Sequence, residues 1–230
     1  MTAVSVIHDR VPIRDGFPSF SEAELSRRQT TLRRVMEQHG VHCVILYATG
    51  RFNSDMQYLS NWPGGREGYV LLPLDRSPVL LVQLYNHVPM AERLSRIADT
   101  RWAGPDSVAT VASCLKEFGL QRGRIGLIGV LSFLQHDRLK RLLPEVEFVD
   151  LSRPFRKIRL VRSDEELQFF RVAAELTDRS IERLEQHLRP GLREYELAAI
   201  VEGVYLQEGG YAGIHFMAST SMKDPKVFVP

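Results

Sequence analysis

Cysteine is scarce. Cys43 and Cys114 are the only two in 230 residues, one inside the apolar run 41–47 and the other beside Leu115 in a helical pattern. Both read as small buried hydrophobes, which excludes a disulfide framework or a thiolate metal site. Charge of one sign is lacking too. The 30 Lys and Arg nearly cancel 28 Asp and Glu, leaving +2, so no broad field for nucleic acid or an anionic membrane is built. No apolar run approaches the roughly 20 residues of a spanning helix. Between Met1 and Ser21 stand Asp9, Arg10, Arg14 and Asp15, where a signal peptide needs an unbroken apolar stretch. The cytoplasm is the expected compartment. There is no HExxH pattern and no repeat. Gly64-Gly65 and Gly209-Gly210 lack phosphate-loop spacing and suit turns, and Ser219-Thr220-Ser221 lacks the setting of a nucleophile elbow.

What is present is ordinary globular composition, 44% hydrophobic and 25% charged, in a length that suits one large domain or two modest ones. Residues 1–18, with Pro12, Gly16 and Pro18, read as an arm. Ser21 and Glu24 form a capping-box pattern, and Leu25, Leu32, Val35 and Met36 follow as an apolar stripe ended by Gly40. A buried strand is expected at 41–48, and a helical turn or strand at 56–59. Runs 69–74 and 79–84 suggest a hairpin. Helices over 88–97, 107–118 and 132–143 alternate with a strand at or beside Trp102 and strands at 124–128 and 146–151. This alternation predicts an α/β fold with a mixed sheet flanked by helices.

Beyond residue 151 the pattern changes. Arg153, Arg156, Lys157, Arg159 and Arg162 alternate with Phe155, Ile158, Leu160 and Val161, predicting an extended linker with one packed edge. A phosphate- or nucleic-acid-binding role for this strap would require affinity that falls steeply with salt, and nearby carboxylates suit the linker reading better. Ser163 and Glu166 form a second capping box. Leu167, Phe170, Ala174, Ile181, Leu184 and Leu188 then make one apolar helical face. Pro190-Gly191 ends that helix, and a second one over 194–207 turns Leu197, Ile200, Val201 and Val204 inward. Glu165-Glu166 and Glu194/Glu196 sit in first turns, where the helix dipole accounts for them. Two one-sided helices need a partner sheet, and 214–217 offers the start of one.

The seven histidines are scattered. His39 and His42 straddle a helix end, and His87, His136 and His187 stand among polar surface signals. His215 differs, lying between Ile214 and Phe216 after a glycine-rich turn. A packing or surface role and a substrate role both suit it.

Four motifs resemble the creatinase/prolidase/aminopeptidase P family of pita-bread metallohydrolases. They are Tyr58-Leu59-Ser60 within 53–61, the junction 159–167 with Arg162 where the family has Lys, Ala173-Ala174, and the segment 190–197 containing Gly191, Glu194, Glu196 and Leu197. Their order and spacing cover most of the chain. The resemblance implies an arm (1–18), a creatinase-like N-terminal α/β domain (19–155), and the first helices of an incomplete α+β pita-bread catalytic domain (156–230). It implies dimerisation through the N-terminal domain, a peptide or small amide substrate, and two divalent ions (Mn, Zn or Co). The family holds those ions through two Asp, one His and two Glu, none of which maps onto a position here, so no metal ligand and no catalytic residue is assigned. Family peptidases place a substrate-contacting histidine just after the segment that matches 216–221. Here 226–230 reads Lys-Val-Phe-Val-Pro, and His215 stands one short segment earlier as the candidate substrate-binding residue. Two rivals remain. One is a non-catalytic module that dimerises through 69–84 or its helices, the other a divergent hydrolase or lyase of the same fold.

Overall fold

A computed structural model describes residues 10–50, 53–211, 213, 215–217, 220–221 and 223–224. The chain forms two compact units, Pro12–Ser163 and Asp164–Pro230 with Met1–Val11. Residues 1–9 of the expected arm, Ile214, Ser219 and the stretch 226–230 lie outside the described residues.

The first unit opens with a two-residue ladder, β1 (Ile13–Arg14) against β2 (Phe17–Pro18), turned by Asp15 and Gly16 at φ 51° and 82°. Positive φ at both central positions is the turn that matches strand twist. Helix α1 (Glu22–Gln38) is capped by Ser21, whose side chain accepts the Glu24 amide at 3.1 Å. Only half of the expected capping box forms, because the Glu24 carboxylate turns to Arg27 (2.8 Å) and Arg28 (2.7 Å) instead. Strand β3 (Cys43–Thr49) leads to α2 (Ser54–Ser60), where Asn53 accepts two amides and fixes as helix a short segment that sequence leaves open between helix and strand. Next come β4 (Glu67–Pro73), β5 (Val79–Val82), a 3-10 turn at Tyr85–His87, α3 (Val88–Leu94) and β6 (Asp99–Trp102). Helix α4 (Ser107–Glu117), β7 (Arg122–Ile128), α5 (Phe133–Leu142), β8 (Glu145–Asp150) and α6 (Ser152–Ile158) complete the unit.

Six strands form one mixed sheet in the order β6-β5-β4-β3-β7-β8. Strand β4 is antiparallel to β3 and β5, while β3–β7, β5–β6 and β7–β8 pair in parallel. Period-two alternation sends Val44, Leu46, Val70, Leu72, Leu80 and Val82 to one core. Cys43, Ile45, Tyr69, Leu71, Val79 and Leu81 go to the other. Helices therefore cover both faces, and each fully buried aliphatic side chain contributes roughly 1.5–3 kcal/mol. The expected hairpin is β4–β5, in register Gly68↔Val82 to Leu71↔Val79. It occupies the sheet interior with every β5 side chain buried. Both cysteines are free and buried.

The basic strap is a correction to the extended linker that the sequence predicts. Residues 152–158 are helical, because Leu151, Phe155 and Ile158 recur at steps of four and three and pack on the core, with Leu151 and Phe155 fully buried. Asp150 accepts the Ser152 amide at 2.8 Å, and Pro154 sits in the first turn, where a missing N–H costs little. Leu160, in the turn that ends this helix, and Val161, in the bend after it, are exposed at 77% and 76% rather than packed along one edge.

The second unit pairs α7 (Asp164–His187) with α8 (Glu194–Gln207). Helix α7 buries Val172, Leu176 and Ser180, a stripe at steps of four. The face expected to be inward is open instead, with Phe170 53%, Ile181 56% and Leu188 62% exposed. The helix carries two apolar stripes, and the narrower one is buried. Among the described residues no strand forms at 215–217, and an isolated bridge, Ser221↔Asp224, follows.

Candidate functional site

Helix α8 positions a small polar constellation within the second unit. Glu202 and Tyr205 are three residues apart and so share one face. The helix ends in a glycine turn, with Gly209 at φ 83° and the Gly210 amide bonded to the Tyr205 carbonyl at 2.7 Å. A Cβ on Gly210 would lie 2.7 Å from that same oxygen, so only glycine fits the return. The chain folds back along α8, and the Gly213 amide donates to the Tyr205 hydroxyl at 3.1 Å. His215 then meets both side chains, its Nε2 at 3.0 Å from Glu202 Oε1 and 3.1 Å from the Tyr205 hydroxyl.

The His215 and Glu202 side chains are 23% and 25% exposed, half-buried but open to a ligand. A carboxylate acceptor favours the proton on Nε2, which leaves Nδ1 as a hydrogen-bond acceptor with no partner among the described residues. Burial pushes the Tyr205 hydroxyl above its ordinary value. The Gly213 amide opposes this, and the neighbouring Glu202 charge adds to it. Tyr205 therefore stays protonated at neutral pH and serves as a donor. The arrangement can orient an imidazole toward a substrate. Glu202 and Tyr205 carried no functional signal in the sequence, since glutamate and tyrosine three residues apart on a helix are common surface neighbours.

A second cluster sits where β3 ends and β4 begins. The Glu67 carboxylate accepts from Tyr47 (3.3 Å), Tyr69 (3.2 Å), Gln135 (3.0 Å) and Ser107. Ser107 opens α4, and Gln135 belongs to the first turn of α5, so this carboxylate faces two helix N-termini. Burial raises both tyrosine hydroxyls, and the Glu67 charge raises them further. The donors and acceptors satisfy one another, which makes the cluster a brace between sheet and helices.

Among the described residues, no three His, Cys, Asp or Glu side chains converge as a metal site. His39 caps its own helix, with Nδ1 2.8 Å from the Val35 carbonyl, and His187 repeats this with Arg183 at 2.8 Å. Neither joins His215. The described residues do not fit a dinuclear metal centre. No helix among them is long and apolar enough to cross a membrane.

Residues 28–161 match the family described as creatinase/prolidase N-terminal domain, and residues 168–225 match metallopeptidase family M24. Creatinase from a Bacillus species is 28% identical over 195 residues, covering 79% of this chain and 44% of its own length. An Xaa-Pro dipeptidase of Bacillus anthracis superposes with a TM-score of 0.65 at 22% identity, over 80% of this chain and 49% of that one. An X-Pro aminopeptidase from Thermotoga maritima gives 0.67 at 17% identity, over 79% and 49%. These two structures share the mixed-sheet α/β fold. The chain spans less than half the length of each of the three.

Proposed function

The chain belongs to the creatinase/prolidase N-terminal domain family, and from that premise we propose that it is the N-terminal part of a metallohydrolase that cleaves an amide bond. The reaction would be of the Xaa-Pro aminopeptidase, dipeptidase or creatinase kind. Residues 1–18 would be an arm, 19–155 the N-terminal domain and 156–230 the opening of the catalytic domain. One observation carries this reading: the two family matches follow one another in a single chain, the second an M24 metallopeptidase segment. No metal-ligating trio stands among the described residues, so two divalent ions would be held by other polypeptide. No step assigned to these residues passes through a metal.

Within this reading His215 contacts substrate through Nδ1, with Glu202 accepting from Nε2 and the Tyr205 hydroxyl beside it. The open stripe of α7 at Phe170, Ile181 and Leu188 packs against the remainder of the catalytic domain. The protein works as a homodimer in the cytoplasm.

The test uses the longest polypeptide containing this region, loaded with Mn and assayed on Xaa-Pro dipeptides. His215→Ala should lower kcat/KM by about 10- to 100-fold, the size of a lost hydrogen bond to a charged group, with metal content unchanged. Unaltered kinetics would remove His215 from the site. A metal-loaded polypeptide that leaves such dipeptides and creatine intact would point to a divergent hydrolase or lyase.

A further inference from the structure

A cavity of about 510 Å³ lies between the last turns of α1 and helix α6, inside the first unit. Val35 and His39 line it from α1, and Arg153, Pro154, Lys157 and Ile158 from α6. Its floor is apolar: Val35 is buried, Pro154 and Ile158 are half-buried, and Ile158 packs on the core. The volume falls within the range of small-molecule sites, roughly 300–1,000 Å³.

The charges on its rim have one sign. Arg153 and Lys157 are exposed and four residues apart, which places them on one side of α6 with Cβ atoms about 6 Å from each other. Neither takes part in a hydrogen bond or ion pair among the described residues. The acids close by in sequence are engaged elsewhere. Asp150 accepts from Ser152, a bond that holds its carboxyl below the ordinary value with help from Arg156, and Glu147 pairs with Arg124. His39 commits Nδ1 to its own helix. An apolar floor between two unpaired cations is complementary to a ligand with an apolar body and one negative group. Two cations are too few for a nucleic acid or a vesicle surface, which need a stripe of them.

We infer that the α1–α6 groove binds a small amphipathic organic carboxylate, its apolar body on Val35, Pro154 and Ile158 and its charge between Arg153 and Lys157. The groove shares no lining residue with the His215 cluster and is independent of the metallohydrolase reading.

Octanoate is the probe, titrated into the intact chain by calorimetry and two-dimensional NMR, with octylamine and acetate as controls. Octanoate should bind saturably and shift the resonances of Val35, His39 and Ile158, while octylamine and acetate should not saturate. Arg153→Ala and Lys157→Ala should each weaken binding roughly fivefold to tenfold, and Lys157→Glu should abolish it. Both side chains are exposed and unpaired, so the unfolding midpoint of each variant should match the wild type. Octylamine binding as tightly as octanoate would overturn the inference. So would octanoate shifts confined to another part of the chain, or affinity indifferent to Lys157→Glu.

Discussion

Arg28 is 1% exposed, an unusual place for a guanidinium. Glu24 meets it at 2.7 Å, the Tyr58 carbonyl accepts from it at 3.2 Å, and the Phe20 and Tyr58 rings flank it at 3.8 and 4.4 Å from their centroids. Burial alone would raise the Glu24 carboxyl. Arg27 and Arg28 outweigh burial and hold it below its ordinary value of 4.5. A depressed carboxyl stabilises the fold above its unfolded value and loses that contribution as pH falls through the folded one. The difference in unfolding free energy between wild type and Glu24→Gln should therefore be constant near neutrality and shrink below about pH 4.5, followed by urea denaturation across pH. A difference that stays flat to pH 3 would contradict the ion pair. The apolar neighbours Leu25, Leu32, Val35 and Met36 were legible from their spacing and are all buried. The buried charges were not, because the Tyr58 carbonyl and ring that help make burial of Arg28 tolerable come from α2, thirty residues further on.

At the scale of elements, the buried strands were legible as short continuous apolar runs, and the long helices as apolar recurrences at steps of three and four. Strand β3, the β4–β5 hairpin and α4 with its Gly119 stop at φ 75° all follow their patterns. Helix α6 reads as extended in the sequence because seven residues hold too few apolar positions to separate the two periods. Leu160 and Val161 just past its end prolong the false alternation. Helix α7 shows another limit: a sequence with two apolar stripes does not say which one a given neighbour covers. The return after α8 rests on Gly210, whose missing Cβ lets the chain pass the Tyr205 carbonyl. Gly210→Ala should displace the turn and separate His215 from Glu202. In ring-nitrogen NMR, His215 should then lose its single preferred tautomer. A tautomer unchanged in the variant would show that the turn does not hold the imidazole.

For the whole molecule, the sequence changes pattern near residue 151, and the chain passes from one compact unit to the other between Ser163 and Asp164. Leu160, Val161 and Arg162 are exposed there, between the end of α6 and the start of α7. Brief trypsin treatment of the intact chain should cut first after Arg162 and leave a resistant fragment made of the six-stranded sheet and its helices. Early cleavage within the sheet would contradict that division. The strand order could not be read from sequence, because seating β7 beside β3 pairs Cys43 with Ile125, residues far apart along the chain.

The central claim is that the described residues provide a scaffold and an oriented imidazole, and that no three His, Cys, Asp or Glu side chains among them converge as a metal site. Equilibrium dialysis of the purified 230-residue chain against micromolar Mn or Zn, followed by elemental analysis, tests it most directly. The account predicts no stoichiometric metal. Two tightly held ions per chain, retained when His215 is replaced, would contradict it.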